Sequence, residues 1–312
     1  MASIHDVAKR AGVSTATVSK HINKVGYISP EKRDAIDKAI LELDYAPNRS
    51  ARQLKVRSSK DVLFIVPNMM ERVYQEACNG VSAVLGSKFR LIIQLTDDRA
   101  EIEQAILRDS MNNACAGIIL CTCQPANDKL FASVLMRVPV IFIIREPQHL
   151  EKYSFIGFNH YDAIYSLTTS LFSIGYKDIG LYTGDTQFSC EMDCVKAFIT
   201  AYQYNGYGIP DNHIFSYPFS KETTFRGIMH LFDSGDYPKV FLVTSYISAQ
   251  AIGEVAYFRD LEVGRDLFVF SLGENNWYNN MFVNKIICTF RDARKLGVLA
   301  AETLKSSVEL PN

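Results

Sequence analysis

Between Gly12 and Lys20 the chain sets out Ser14, Thr15, Thr17, Ser19 and Lys20, four hydroxyls and an ammonium group over two turns of a possible helix. Hydroxyls donate and accept, and an ammonium draws anions. The chemistry on offer is therefore hydrogen bonding to phosphates and base edges rather than bond breaking. By themselves such Ser and Thr residues are ordinary caps or solvated side chains, since bonding to nearby backbone is their usual role. The charge distribution bears on the head as a whole. Residues 1–60 hold 12 Lys+Arg against 6 Asp+Glu, a balance of +6, whereas the remainder holds 21 against 28, or −7. A basic head on an acidic body points the head at a polyanion and gives the body a separate task.

A second set of polar residues falls near the ends of expected strands: Asn68, Tyr74, Arg145, Glu191, Asp193, Tyr246, Glu274 and Trp277. A pocket for a small molecule uses a few such groups among apolar walls, and most of the rest are simply solvated. Trp277, the single tryptophan, can stack on a flat ligand or pack against a second subunit. No Gly-rich phosphate loop, Gly-x-Ser-x-Gly elbow or His-Glu-x-x-His is present, and Gly206-Tyr207-Gly208 reads as a turn before Pro210. Cys121-Thr122-Cys123 lacks clustered histidines and reads as core thiol. Neither metal nor cofactor is expected.

The elements that must position these residues follow from periodicity. Ile4, Val7 and Ala8 recur at helical spacing up to Ala11, and Gly12 breaks the run. Ser14 offers an N-cap for a second helix, Thr15 to Asn23, and a third runs from about Pro30 to Leu43. Val7, Ala8, Val13, Val18 and Ile22 are their expected core. Two short helices about a tight turn, buttressed by a third, make a helix-turn-helix, whose second helix offers its N-terminal side chains to the major groove. Tyr45 to Leu54 comes next, with Pro47 suited to a first helical turn. Isolated helices shorter than about 12–15 residues are marginal in water, so this stretch is ordered only when held.

From Asp61 onward strand-like runs such as Val62–Val66, Gly117–Cys121, Val140–Ile144, Val240–Val243 and Leu267–Phe270 alternate with helical stretches. Alternation of this kind gives parallel sheets flanked by helices, here two similar lobes with a cleft between them. At 312 residues, 48% hydrophobic and 21% charged, the composition is that of a globular protein, with no apolar run of the roughly 18–20 residues that a membrane span needs. Seven cysteines, an odd number, and an N-terminus without a secretory pattern imply reduced thiols and a cytoplasmic location.

Asp6-Val7-Ala8-Lys9-Arg10-Ala11-Gly12-Val13-Ser14-Thr15-Ala16-Thr17-Val18-Ser19-Lys20 resembles the opening of the lactose-repressor (LacI/GalR) family of bacterial transcriptional regulators. The match continues through Asn23, Ser29-Pro30, Arg33 and Leu43 to Tyr45-Ala46-Pro47-Asn48, Ala51-Arg52 and Leu54. The resemblance implies an all-α helix-turn-helix head on an α/β body of two parallel-sheet lobes, similar to periplasmic binding proteins. It divides the chain into a DNA-binding domain (1–46), a hinge helix and linker (47–60) and a two-lobed effector-binding and dimerisation domain (61–312). It further implies a homodimer on a partly palindromic double-stranded operator. Thr15, Ala16 and Lys20 fall where the family reads bases. Ser3, His5, Ser14, Thr17, Ser19, Asn23 and Ser29 fall where it contacts phosphates and sugars. Asn48, Ala51 and Leu54 fall in a hinge helix that forms over the minor groove, with Leu54 as the wedge that bends DNA.

The body resembles the family's effector domain but departs from its sugar-binding pattern. Cys194 stands where an Arg is usual, Ser245-Tyr246 replaces an Asn-Asp pair, and Gly273 precedes Glu274 where an Asp is common. Ile144 replaces an acidic residue before Arg145, and Asn159 replaces an Asp. Polyol recognition depends on carboxylate and guanidinium partners acting together, so their joint loss implies a changed ligand or none. Control by a small effector is expected, with control by a protein partner as the alternative. A solute-binding protein with a vestigial head and a sugar-modifying enzyme are the rival classes. The family usually adds one more strand after a segment like Val308-Glu309-Leu310-Pro311, so either a longer chain or an open sheet edge is expected here.

Overall fold

The computed structural model of the protein describes residues 4–22, 27–43, 59–113, 115–217, 221–273 and 287–309. The chain divides into two compact units, Met1–Ser58 and Ser59–Asn312. In the first, α1 (Ile4–Ala11), α2 (Thr15–Ile22) and α3 (Pro30–Glu42) follow one another closely. Gly12 sits at φ +64°, a conformation that residues with a Cβ rarely adopt, and this lets α1 turn into α2 within three residues. The Ser14 hydroxyl accepts the Thr17 amide at 3.1 Å and so caps α2. Val7, Ala8 and Val18 are buried with Ile36 and Ala39 of α3, while Val13 is partly covered. The Ile22 side chain lies outside the described residues. Pro30 opens α3 at a position where its missing N–H costs nothing.

The second unit contains two parallel five-stranded sheets. The first is built from β1 (Asp61–Val66), β2 (Arg90–Leu95), β3 (Gly117–Leu120), β4 (Val140–Ile143) and β5 (Ser154–Ile156), in the order β2-β1-β3-β4-β5. The second uses β6 (Ile179–Thr183), β7 (Ile214–Ser216), β8 (Val240–Val243), β9 (Phe268–Gly273) and β10 (Ile287–Phe290), in the order β10-β9-β8-β6-β7. Unbroken apolar runs such as Gly117–Leu120 and Val140–Ile143 are buried at every position, as strands covered on both faces must be. The expected alternation is present. Three strands that it does not announce are β5, β7 and β10, three or four residues each and too short to carry a period.

Helices α4 (Arg72–Leu85) and α11 (Ala293–Glu309) cover one face of the first sheet, and α5 (Ala100–Asn112) and α6 (Asp128–Leu135) cover the other. In the second lobe α7 (His160–Ser173) and α8 (Ser189–Tyr204) take one face, and α9 (Lys221–Ser234) and α10 (Tyr246–Phe258) the other. The chain passes to the second lobe after β5 and returns after β10, so α11 belongs to the first lobe although its preceding strand belongs to the second. Its packing on α4 is backbone against backbone. A Cβ at Gly80 would lie 2.1 Å from the Arg294 carbonyl oxygen, and one at Gly297 2.0 Å from that of Ala77. Strand C-termini of both sheets therefore end in loops that meet the other lobe, and the polar side chains are set there.

Candidate functional site

On α2 the buried Val18 fixes which side faces outward. Ala16 and Lys20, four residues apart and so on one face, are exposed; Thr15, Thr17 and Ser19 are half-buried at its margin. Ser14 is exposed, and its hydroxyl meets that of Thr17 at 2.8 Å. His5 is exposed on α1, and Ser29 is half-buried ahead of α3, with no side-chain bond to the helix it precedes. His21, on the inner flank of α2, meets Asp37 of α3 at 2.6 Å and ties the two helices together. The outward face thus carries one cation and one methyl, able to meet a guanine edge and a thymine methyl. Ser3, Asn23, Asn48, Ala51 and Leu54 lie outside the described residues.

In the body, Asn68 follows β1, Tyr74 stands in the first turn of α4, and Arg145 follows β4. Glu191 and Asp193 sit in the first turns of α8, and Tyr246 opens α10. Glu274 and Trp277 lie outside the described residues. The described ones stand in the loops and first helical turns that follow strands, with most of them already engaged. Asn68 Oδ1 accepts the amides of Met70 and Glu71 at 2.8 and 3.1 Å. Tyr74 is buried, its hydroxyl 3.8 Å from the Cys121 thiol. Asp193 is half-buried and 3.8 Å from Lys196.

Arg145 is 5% exposed. The Arg145 amide donates to the Ile143 carbonyl at 2.7 Å across Ile144, which is held at φ +67°. For a β-branched residue that geometry is strained by about 1–3 kcal/mol, and it turns Arg145 inward. Burial works against the guanidinium's charge, but the Asp98 carboxylate receives it in a forked pair at 2.5 and 3.3 Å and keeps it firmly protonated. The guanidinium carbon lies 3.6 Å from the centre of the Phe188 ring, across the cleft in the other lobe.

Three buried carboxylates are likewise engaged from within. Glu191 accepts from Thr183 Oγ1 at 2.6 Å, the Gly184 amide at 3.0 Å and Thr244 Oγ1 at 2.8 Å, tying the ends of β6 and β8 to α8. Glu103 accepts from Thr122 Oγ1 at 2.8 Å and the Cys123 amide at 2.6 Å, while burial pushes its carboxyl above the usual range. Glu71, 5% exposed, reaches from the first lobe to the Ser245 hydroxyl and accepts the Tyr246 amide at 3.1 Å. At the start of α7, burial and the nearby Arg291 cation bring His160 down to about 4, so it is neutral at ordinary pH. Burial raises the thiols of Cys121 (to about 11), Cys190 and Cys194, which leaves no ready nucleophile among them.

Glu71, Asp98, Glu103, Phe188 and His160 were not anticipated as members of this region. Each acts through a partner between 19 and 174 residues away, or through burial, and neither is visible in a linear pattern. The substitution of Ser245-Tyr246 for the usual pair was visible, and it is this pair that Glu71 meets. Among the described residues no three His, Cys, Asp or Glu side chains gather to hold a metal ion. Nor, among them, is any helix long and apolar enough to cross a membrane.

Comparison with known proteins agrees with this architecture. Residues 3–48 match the family model of bacterial regulatory proteins of the lacI family. Residues 59–273 match that of periplasmic binding proteins and the sugar-binding domain of the LacI family. The chain is 29% identical over 291 residues to the NTD biosynthesis operon regulator NtdR of Bacillus subtilis (strain 168), covering 92% of this chain and 84% of that one. It is 25% identical over 307 residues to the HTH-type transcriptional repressor PurR of Edwardsiella ictaluri (strain 93-146), covering 97% and 89%. Among solved structures, the lac repressor dimer bound to operator and the anti-inducer ONPF superposes with a TM-score of 0.75 at 20% identity, covering 99% of this chain and 93% of that one. That last likeness is one of fold.

Proposed function

Because the chain belongs to the lacI family of bacterial regulatory proteins, whose members are DNA-binding transcriptional regulators rather than enzymes, we propose that it is a homodimeric, cytoplasmic repressor whose hold on operator DNA is set by a small effector in the interlobe cleft. The observation that carries this reading is the outward face of α2, where Lys20 and Ala16 stand clear of the head's core. In this reading residues 1–46 bind DNA, 47–60 form the hinge and 61–312 sense the effector and dimerise. Thr15, Ala16 and Lys20 read bases, and Ser3, His5, Ser14, Thr17, Ser19, Asn23 and Ser29 hold the phosphate backbone. Asn48, Ala51 and Leu54 serve the hinge over the minor groove.

Dimerisation is supported by the apolar edge of the first sheet. Ile93 and Leu95 of the edge strand β2 are each 43% exposed. An uncovered apolar edge strand invites another chain, and a second copy would bury it. Tyr257 and Phe258, exposed at the end of α10, offer a second apolar patch of the same kind.

For the effector, Asn68, Tyr74, Arg145, Glu191, Asp193, Tyr246, Glu274 and Trp277 remain the proposed contacts. The internal pairing of Arg145 and Glu191 limits what a ligand gains from charge, since it must first displace a partner. A thermal-shift screen of sugars, nucleobases and organic acids, followed by anisotropy of the operator complex, tests the reading. One compound should raise the melting temperature with the concentration dependence of binding and change operator affinity. A silent screen, together with stabilisation by a purified protein partner, would replace the small effector with that partner.

A further inference from the structure

We propose that Glu71 latches the two lobes together, so that the cleft closes without a ligand and the effector acts by reinforcing or releasing this latch. The inference rests on the effector-controlled reading above and specifies how its site is regulated. Glu71 stands at the end of the loop after β1, held there by Asn68 Oδ1, which accepts its amide at 3.1 Å and that of Met70 at 2.8 Å. From the first lobe its carboxylate crosses to the second. There it accepts the Ser245 hydroxyl with one oxygen and the Tyr246 amide with the other, the latter at 3.1 Å. Ser245 is the N-cap of α10, a helix of 13 residues, so the carboxylate lies where unpaired helix amides and the positive end of the helix dipole favour an anion.

Two further contacts cross the same cleft. The Arg145 guanidinium lies on Phe188, and the Glu146 amide donates to Ser189 Oγ at 3.4 Å. Both second-lobe partners stand at the start of α8, away in sequence from Ser245. Glu71 is the one of these links that sets a full charge of one lobe against backbone and hydroxyl donors of the other. When the lobes part, water replaces those donors, so the latch is strong enough to bias closure and weak enough to be undone. An effector that bridges the lobes adds to the latch, whereas one that takes the Ser245 and Tyr246 donors substitutes for Glu71 and frees it.

Amide hydrogen exchange on the full chain, with neither DNA nor ligand, tests this. In Glu71→Ala, segments 244–250 and 186–192 should both exchange about tenfold faster than in the wild type, because losing the latch lets the whole cleft open. Ser245→Ala should do the same, and the double variant should exchange no faster than either single one. Glu71→Gln, which keeps the shape without the charge, should fall between. Faster exchange confined to 244–250 would mean a local cap and would overturn the latch. Uniformly faster exchange that includes the interior strand 117–120 would mean a structural pillar and would overturn it as well. The readout does not involve DNA, so a wild-type chain that failed to bind any operator would refute the proposed function while leaving this result to stand or fall separately.

Discussion

Lys20 puts a compact ammonium on the exposed face of α2. A point charge still reaches guanine O6 or N7, with less geometric selectivity than a fork. Lys20→Ala should therefore weaken operator binding by about 1–3 kcal/mol and relax preference at one base pair, while Lys20→Arg should bind at least as well. Fluorescence anisotropy on operators varied at single positions measures both. In the body, His160 is 6% exposed and held neutral with a value near 4, below its ordinary 6.5. Between those values the unfolded chain binds the proton and the folded one does not. His160 thus contributes stability that is complete above about pH 6.5 and is lost as pH falls towards 4. Urea unfolding at pH 7 and pH 4.5 should show that His160→Gln narrows the gap between the two conditions. The sequence offered Lys20 through its motif, but nothing around His160 announced its burial. Its environment is assembled by Arg291 and Glu191, which approach from distant parts of the chain.

Helices and strands were legible where they were long enough to carry a period. Strands β1, β4 and β8 fall within a residue of their expected limits. The short strands β5, β7 and β10 depend on a neighbouring strand for their definition, and α11 packs on a sheet more than 130 residues before it in the chain. What holds α11 in place is likewise non-local: Gly297 lets its backbone touch that of α4 at Ala77. Gly297→Ala would place a methyl 2.0 Å from a carbonyl oxygen and force the helices apart. The expected cost is about 1–3 kcal/mol, read as a lower melting temperature, with the head's DNA contacts unaltered. An unchanged melting temperature would mean that the two helices separate more easily than their close packing implies.

At the scale of the whole molecule, the proposed mechanism joins a sensor that opens and closes to a hinge that folds only when held. Leu54→Ala should weaken operator binding while leaving the melting of the body unchanged, because the proposed wedge acts only on DNA. Equal loss of both would mean that Leu54 belongs to a core. The output end of this switch was the more legible, because a helix-turn-helix is a local motif read along 50 residues. The cleft is assembled from loops of two lobes, and its charges are matched by partners that only the fold brings together. The most direct measurement of the central claim is the affinity of the purified full-length protein for an operator obtained by in vitro selection, compared with random duplex across a salt series. A palindromic site bound at least about 10³-fold more tightly than random DNA, with affinity falling steeply as salt rises, is the predicted result. Equal affinity for both duplexes at every salt concentration would contradict it.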